Sequence, residues 1–342
     1  MASRDQHIAA LQADWEQHPR WHGIVRHHTA AEVLHLRGAC QADHALAQRG
    51  AAKLWEALHA EPFVPALGAL TAEQALQQVA AGLKAIYLSP QPGADSATLV
   101  PPLVRSIHQQ LQHADLQQRS QGRALTDDVA PIVAEGAAGV AALIEAGVAA
   151  VHFDDLLCDG VLLPTSAAIA RLCAARLQAD AMGVPTLLIA RTDAVAAAWL
   201  AADSDADDQP FCTGERSLDG YCRVRPGIAP ALARALAFAP YVDLLWCDTG
   251  KPDLALAKRF AEAIHARHPG KLLAYHCALS YHWKQNFDDA TIARFQRELG
   301  AMGYRLQFVA PAGVPDVGHG MFQLAHEYAR RQLSAIVELK VA

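Results

Sequence analysis

Carboxylate side chains follow apolar runs at three places along this chain of 342 residues. One run ends at Asp154 and Asp155, a second at Arg191 and Asp193, and a third at Asp248. An apolar run of strand length that ends in carboxylates is typical of a buried parallel strand whose C-terminal end opens into a polar site. The recurrence of this pattern predicts that the three places converge on one site.

Short apolar segments alternate with helical segments over most of the chain. The predicted strands cover residues 63–67, 85–88, 131–134, 148–153, 186–190, 243–246, 271–275 and 306–309. The predicted helices between them include residues 71–83, 164–182, 230–238, 252–268 and 288–300. Eight strands in this alternation predict an α/β fold, a closed parallel (β/α)8 TIM barrel over residues 61–342. Residues 1–60 have helical periodicity and are predicted to form an N-terminal helical lead-in.

Composition and charge exclude several classes of protein. Apolar residues make up 52% and charged residues 19%, with a mean hydropathy of +0.07, which is typical of a globular chain. The net charge of −6 and the absence of a basic stripe argue against nucleic acid as a partner. No apolar stretch has membrane-spanning length, and residues 1–7 lack the apolar core of a signal peptide, so we expect a cytoplasmic protein. Seven cysteines without paired spacing indicate reduced thiols.

The segment 201–225 is long for a connection within a barrel, and it contains an acidic run at residues 203–208. Two interpretations are open for it. Such a run is typical of a solvated excursion, and loops of this length are also typical of functional lids.

In a parallel barrel all the C-terminal strand ends face one mouth. The predicted strand ends collect Ser89, Glu135, Asp154, Asp155, Arg191, Asp193, Asp248, His276, Cys277 and Ser280. Carboxylates gathered in one place repel each other unless a cation shares them, and oxygen donors suit Mg²⁺. A single arginine among them suits bidentate binding of a substrate carboxylate. This set would suit enolate chemistry on a 2-oxo acid, although Asp and Glu at strand ends also cap the helices that follow.

Several stretches of the chain resemble isocitrate lyase, of the isocitrate lyase and phosphoenolpyruvate mutase superfamily. They are residues 21–24, 66–71, 82–89, 183–193, 239–241, 288–293 and 297–304. The resemblance spans nearly the whole chain. It implies a TIM barrel, dependence on Mg²⁺, aldol-type cleavage of a carbon–carbon bond in a small carboxylate substrate, and a homo-oligomer, either a tetramer with exchanged helices or a dimer.

The resemblance also implies roles for individual residues. Glu135 matches the aspartate position of the family's metal motif, with Asp154 and Asp155 as further metal candidates. Asp95 matches a metal-linked aspartate after the second strand. The substrate-binding positions are Arg191, Ser89, Ser280 and Asp248.

The chain departs from the family at positions that carry the chemistry. The Lys-Lys-Cys-Gly-His loop, whose cysteine is the family's acid/base, has no counterpart after Asp155. The family's Ser-Gly-Trp and Asn-Cys-Ser-Pro-Ser motifs are replaced here by residues 89–91 and 276–280, and a threonine of the last strand is Ala310. These losses predict that isocitrate itself is not the substrate, because each missing group typically contributes ~10² or more in rate.

Three residues are candidates for the missing acid/base. Cys158 is the one thiol near the absent loop, and the alternative for it is a structural cysteine. His276 and His319 replace other family residues at the mouth, and imidazole titrates near neutral pH. Two hypotheses for the whole protein therefore stand: a Mg²⁺-dependent carbon–carbon lyase acting on a small 2-oxo or 2-hydroxy carboxylate, and a pseudoenzyme that keeps the barrel for assembly.

Overall fold

The computed structural model describes residues 3–37, 42–89, 95–122, 129–158, 160–310 and 319–339. Eight parallel strands close into a barrel, which confirms the predicted TIM barrel. In the order in which they neighbour each other, they are β1 (Val64–Gly68), β2 (Ala85–Leu88), β3 (Ile132–Glu135), β4 (Ala150–Phe153), β7 (Leu187–Thr192), β11 (Leu244–Cys247), β12 (Leu272–His276) and β13 (Tyr304–Val309). Each lies within one or two residues of a predicted strand, because these strands are buried on both faces and have continuous apolar sequences.

Helices precede the barrel and alternate with its strands. They are α1 (Arg4–Gln17), α2 (Ala30–Leu36), α3 (Ala45–Ala60), α4 (Ala72–Ala80), α5 (Ser96–Ser120), α6 (Val140–Ala146), α7 (Thr165–Met182), α8 (Ile228–Phe238), α9 (Leu254–Arg267), α10 (Trp283–Asn286), α11 (Asp289–Ala301), α12 (His319–Arg331) and α13 (Leu333–Leu339). Among these helices, none is long and apolar enough to cross a membrane.

The last helix of the lead-in, α3, closes one end of the barrel. Its side chains Leu54 and Leu58 are fully buried and join the apolar cluster inside the barrel, together with Val64 and Leu187 from the beginnings of β1 and β7. Removal of such a side chain typically costs about 2–5 kcal/mol. The division of the chain at residue 60 stays a prediction, although the lead-in shares the core of the barrel.

A second, five-stranded sheet is built from the segments that follow β4 and β7. Its order is β5 (Leu156–Cys158), β6 (Val161–Leu162), β8 (Trp199–Leu200), β10 (Cys222–Val224) and β9 (Cys212–Arg216). The strands β9 and β10 lie inside the long segment 201–225. Asp208, the last residue of its acidic run, is only 4% exposed. The other residues of the run are exposed or half-buried, so the run is solvated except at Asp208, and the role of the segment as a lid stays a prediction.

Candidate active site

The alternation of side chains along the barrel strands decides which residues face the mouth. Tyr87, Trp246 and Phe308 belong to the apolar cluster inside the barrel. Side chains two residues apart on a strand share a face. Positions 89, 248 and 310 therefore continue the inward face beyond these rings, and by the same alternation so do Glu135, Asp154, Arg191, Asp193 and His276.

Arg191 lies at the centre of the charged groups in the mouth. Its Nη2 atom is 2.5 Å from Asp193 Oδ1 and 2.9 Å from Asp248 Oδ2. The guanidinium carbon stands 4.6 Å above the centroid of the Trp246 ring, which adds a cation–π interaction. The Nε atom of Arg191 is buried and has no hydrogen-bond partner among the described residues. Arg191 is therefore fixed in place while it keeps a donor for an additional anion.

The carboxyl groups of the mouth hold their protons more tightly than usual. Burial and the neighbouring charge of Asp154 raise the pKa of Glu135, and burial raises the pKa of Asp154. The pKa of Asp193 is raised to about 7, mainly by burial and also by Asp248 and Asp155, although Arg191 opposes the shift. Burial is the largest cause of all three shifts, and neighbouring carboxylates add to it.

His276 ends β12 and lies against an aromatic wall. Its ring stacks on Phe308 with a centroid distance of 5.1 Å and meets the edge of Trp246 at 5.7 Å. Burial lowers the pKa of His276 to about 4, so the imidazole is neutral at pH 7. The Nε2 atom is buried without a hydrogen-bond partner among the described residues. A neutral ring nitrogen in this position can accept or relay a proton.

Below this wall, Tyr87 and His152 form a buried pair. The Tyr87 hydroxyl lies 3.0 Å from His152 Nε2. Burial lowers the pKa of His152 to about 3 and raises the pKa of Tyr87. Both side chains are therefore uncharged at neutral pH, and they form a polar but neutral floor beneath the charged groups.

Asp155 points away from the mouth, because successive side chains along an extended strand point to opposite faces and Asp154 faces inward. One carboxylate oxygen accepts from the backbone N–H of Asp193 at 3.0 Å, and the other accepts from Thr192 Oγ1 and from Arg234 Nε, both at 2.7 Å. Arg234 also donates to Asp208 Oδ1 at 2.6 Å. The hydrogen bonds give Asp155 an anchoring role between β7 and the second sheet, and we leave it out of the proposed metal ligands.

Other predicted site residues lie in different surroundings. Asp95 is exposed and caps α5, where it accepts from Ala97 N at 3.0 Å, as the capping alternative predicts. Cys158 is exposed on β5 beside the Tyr221 hydroxyl. Ser280 is exposed in the short helical turn after β12.

Three more positions lie at or just beyond the limits of the described residues. Ser89 directly follows β2 and interacts with the Tyr87 hydroxyl. His319 begins α12, but the loop before it lies outside the described residues, as does Pro90. All these roles stay predictions.

The donor set determines which kind of metal site the mouth offers. Within the described ranges, no group of three or more His, Cys, Asp or Glu side chains is placed to hold a metal ion. A closed cage of protein ligands therefore does not fit. Glu135 and Asp154 do fit a hard cation that takes one or two carboxylates and completes its shell with water and substrate, as Mg²⁺ commonly does.

Strand-end reasoning missed several residues of the site. Trp246 supports Arg191, and Tyr281 donates to Asp248 Oδ1 at 3.3 Å. Counting back two residues from each strand-end polar residue would have identified Tyr87, His152 and Trp246 as inward-facing. No pattern in the sequence pointed to Arg234, whose partners come from distant segments.

Comparison with known proteins assigns the chain to a family. The model of the isocitrate lyase family matches residues 108–219 and 214–341. The isocitrate lyase of Halalkalibacterium halodurans is 48% identical over 97% of this chain and 86% of that protein. The chain belongs to the isocitrate lyase family. The isocitrate lyase of Salmonella typhimurium is 47% identical over 96% of this chain and 86% of that protein. Membership of this family confirms the prediction of a carbon–carbon lyase.

Two further comparisons bear on the fold and on the departures. A crystal structure of oxaloacetate acetylhydrolase matches with a TM-score of 0.53 and 18% identity, over 82% of this chain and 86% of that chain, which supports the fold alone. The alignment with the Halalkalibacterium halodurans protein runs over 366 positions, more than the 342 residues of this chain. Some residues of that family member therefore have no counterpart here. That these residues include the Lys-Lys-Cys-Gly-His loop stays a prediction.

Proposed function

We propose that this member of the isocitrate lyase family is a metal-dependent lyase that cleaves a small 2-hydroxy carboxylic acid by a retro-aldol step. The observation that carries the proposal is Arg191, fixed between Asp193 and Asp248 with a buried Nε donor that has no partner among the described residues. A buried donor without a partner is costly unless a ligand uses it. A substrate carboxylate would satisfy it with a charge-assisted hydrogen bond.

The retro-aldol step needs one group that accepts a proton and one that donates a proton. The substrate hydroxyl loses its proton to the base, the adjacent carbon–carbon bond breaks, and the hydroxyl carbon becomes the carbonyl of a 2-oxo acid. The bonding electron pair stays on the departing carbon, which then takes up a proton. We assign the proton acceptance to His276, because its ring is neutral at pH 7 and Nε2 is buried without a hydrogen-bond partner in the part of the chain that the structure describes.

Asp193 is suited to return the proton. A carboxyl group whose pKa is close to 7 can be protonated at neutral pH and still give the proton up. Its Oδ2 atom is buried without a hydrogen-bond partner among the described residues. Cys158 is the weaker candidate, since its thiol is exposed on the second sheet.

Glu135 and Asp154 are the proposed holders of the metal. When bound, a divalent cation such as Mg²⁺ supplies positive charge that stabilises the negative charge developing on the substrate. The two carboxylates would contribute oxygen ligands from the ends of β3 and β4. Tyr87 and His152 beneath them supply a neutral floor, which leaves Arg191 as the fixed cation near the substrate.

We further propose that the substrate differs from isocitrate. Ala278 and Ala310 offer no hydroxyl where the family has serine and threonine, and Ser280 is the one retained serine of its motif. A substrate with fewer carboxylates than isocitrate would not need the missing hydroxyl groups. The exposed position of Ser280 agrees with a site that is open on this side.

The test is a cleavage assay on the purified full-length chain with Mg²⁺. A panel of 2-hydroxy mono-, di- and tricarboxylates that includes isocitrate is supplied, and the 2-oxo acid product is followed as its phenylhydrazone. We expect cleavage of one panel member. In Arg191→Gln we expect kcat/KM to fall by at least about 10²-fold. Arg294→Gln is the matched control, because Arg294 is an ion-paired arginine on the outer helix α11.

Each part of the proposal has its own contradicting result. Full activity of Arg191→Gln would refute the carboxylate-binding role. Isocitrate as the best substrate would refute the substrate assignment and leave the lyase assignment intact. No cleavage of any panel member, together with no Mg²⁺ binding, would favour the pseudoenzyme hypothesis.

A further inference from the structure

Two adjoining cavities lie at the end of the barrel opposite the mouth, where the N-terminal ends of β11 and β12 meet the lead-in. Their volumes are about 440 Å³ and 700 Å³. His59, Lys271 and Leu272 line both of them. Together they form one groove, which we call the basal groove. The proposed lyase chemistry uses none of its residues.

Cations dominate the wall of the smaller cavity. Arg20, Arg267, Lys271 and His268 line it, and Asp243 is the one acidic residue in that lining. Asp243 has no free oxygen to offer. Its Oδ1 accepts from Arg20, and its Oδ2 accepts from Arg176 and from a backbone N–H, each at 2.8 Å.

Three cations act on the one carboxylate in the lining of the smaller cavity, whereas Glu262 lines the larger cavity and Asp180 also acts on Arg176. Arg20, Arg176 and Lys271 all act on the single carboxylate of Asp243. Burial and repulsion from the two arginines lower the pKa of Lys271 to about 8. Burial and the charges of Lys271 and Arg267 lower the pKa of His268. Burial is the largest cause of both shifts, and the neighbouring cations add to it, while Asp243 opposes the shift of Lys271.

Several donors in this region have N–H groups without a partner among the described residues. The Nε atom of Arg20 is buried without a hydrogen-bond partner in the described part of the chain. Arg267 is exposed at the end of α9 and makes no ion pair with any described residue. Lys271 Nζ donates to the Val242 carbonyl at 2.7 Å, and an ammonium group has two further N–H donors.

We propose that the basal groove binds a small multivalent anion, with Arg267 and Lys271 as the principal ligands and Arg20 as a buried support. The ligand class is a metabolite that carries a phosphoryl group or two or more carboxylates. Bidentate arginine contacts and a lysine point charge recognise both kinds of anion. The groove is distinct from the mouth of the barrel, so a ligand there would act on the enzyme from the opposite end of the strands.

The competing explanation is purely structural. The guanidinium group of Arg20 lies 4.6 Å from the ring centroid of Trp21 and 4.3 Å from that of Trp55, so it also anchors the lead-in against α3. This role explains Arg20 and Arg176. It does not explain Arg267 and His268, nor the N–H donors of Lys271 beyond its hydrogen bond to the Val242 carbonyl.

The test is calorimetric titration of the full-length chain, in EDTA, with inorganic pyrophosphate and separately with tricarballylate. We expect binding of at least one probe in the millimolar range or tighter, at one site per chain, weakening as salt is added. Arg267→Gln and Lys271→Gln should each weaken it about tenfold or more. Arg294→Gln on the neighbouring outer helix should leave it unchanged. The probe that binds more tightly identifies the phosphoryl or the carboxylate class.

One further variant separates the basal groove from the mouth. Because Arg191 also attracts anions, the titration is repeated with Arg191→Gln, where we expect the same affinity as in the unaltered chain. Loss of binding in Arg191→Gln would place the anion in the mouth and overturn the proposal. Equal affinity in Arg267→Gln and the unaltered chain would overturn it too, as would the absence of binding by both probes. Arg267 is exposed and makes no ion pair with any described residue, so its variant tests the site without endangering the fold.

Discussion

Replacement of Arg234 by methionine tests how the second sheet is attached to the barrel. The side chains of Arg234 and Asp155 are each 1% exposed and that of Asp208 is 5% exposed, so solvent does not screen these ion pairs. Arg234→Met would leave two buried carboxylates without their counter-ion. Removal of one partner of a buried pair typically costs about 3–5 kcal/mol. We therefore expect a loss of unfolding free energy in that range, although methionine fills much of the same volume.

The assay is equilibrium unfolding in urea, with Arg216→Met as the matched control. Arg216 lies on β9 of the same sheet and pairs with Asp203 at 2.8 Å, but the two side chains are 53% and 47% exposed. Exposed pairs contribute about 0–1 kcal/mol. A loss in Arg234→Met no larger than that in Arg216→Met would refute the reasoning. We also expect Arg234→Met to lower kcat/KM, because Asp155 orients the backbone of Asp193 beside Arg191.

Three further predictions concern the mouth. The raised pKa of Asp193, about 7 against an ordinary 3.8, means that the folded protein keeps a proton that the unfolded chain releases. In EDTA, the free energy of unfolding should therefore fall as the pH rises from about 4 to about 7. For Asp193→Asn, urea unfolding at a series of pH values should lack this contribution to the fall. Mg²⁺ at 100 times its Kd should add about 2.7 kcal/mol of stability, measured as a rise in Tm, and Glu135→Gln with Asp154→Asn should abolish the rise. Gly136→Ala should cost about 1–3 kcal/mol in urea unfolding, since the added methyl group would overlap the ring of Phe153; an unchanged midpoint would contradict this packing.

The sequence alone determined the barrel and the convergence of its strand ends. Parallel strands that are buried on both faces must be apolar throughout, so their positions are visible as short apolar runs. Because all eight strands run in one direction, the polar residues that end them meet at one mouth. Arg191, Asp193 and Asp248 were placed together by this rule, and their ion pairs in the structure agree with it.

The second sheet and the role of Asp155 required the tertiary structure. The strands β5, β6 and β8 are only two or three residues long, and Val161 pairs with Trp199 across nearly forty residues of sequence. Such short strands carry too little periodicity to be recognised, and their stability comes from the pairing itself. The same holds for Asp208, which looks like part of a solvated acidic run until Arg234 is seen beside it.

The adjacent carboxylates Asp154 and Asp155 show which part of the site the sequence determines and which part only the tertiary structure decides. The sequence made both of them metal candidates, although neighbouring residues on a strand point to opposite faces and only one of the two can face the mouth. It did not say which of them faces the mouth, because that depends on the register of β4 against β7. Nor did it reveal the guanidinium group that neutralises Asp155. A buried charge is tolerated only where a partner from elsewhere in the chain reaches it, and such long-range pairing is decided by the folded structure.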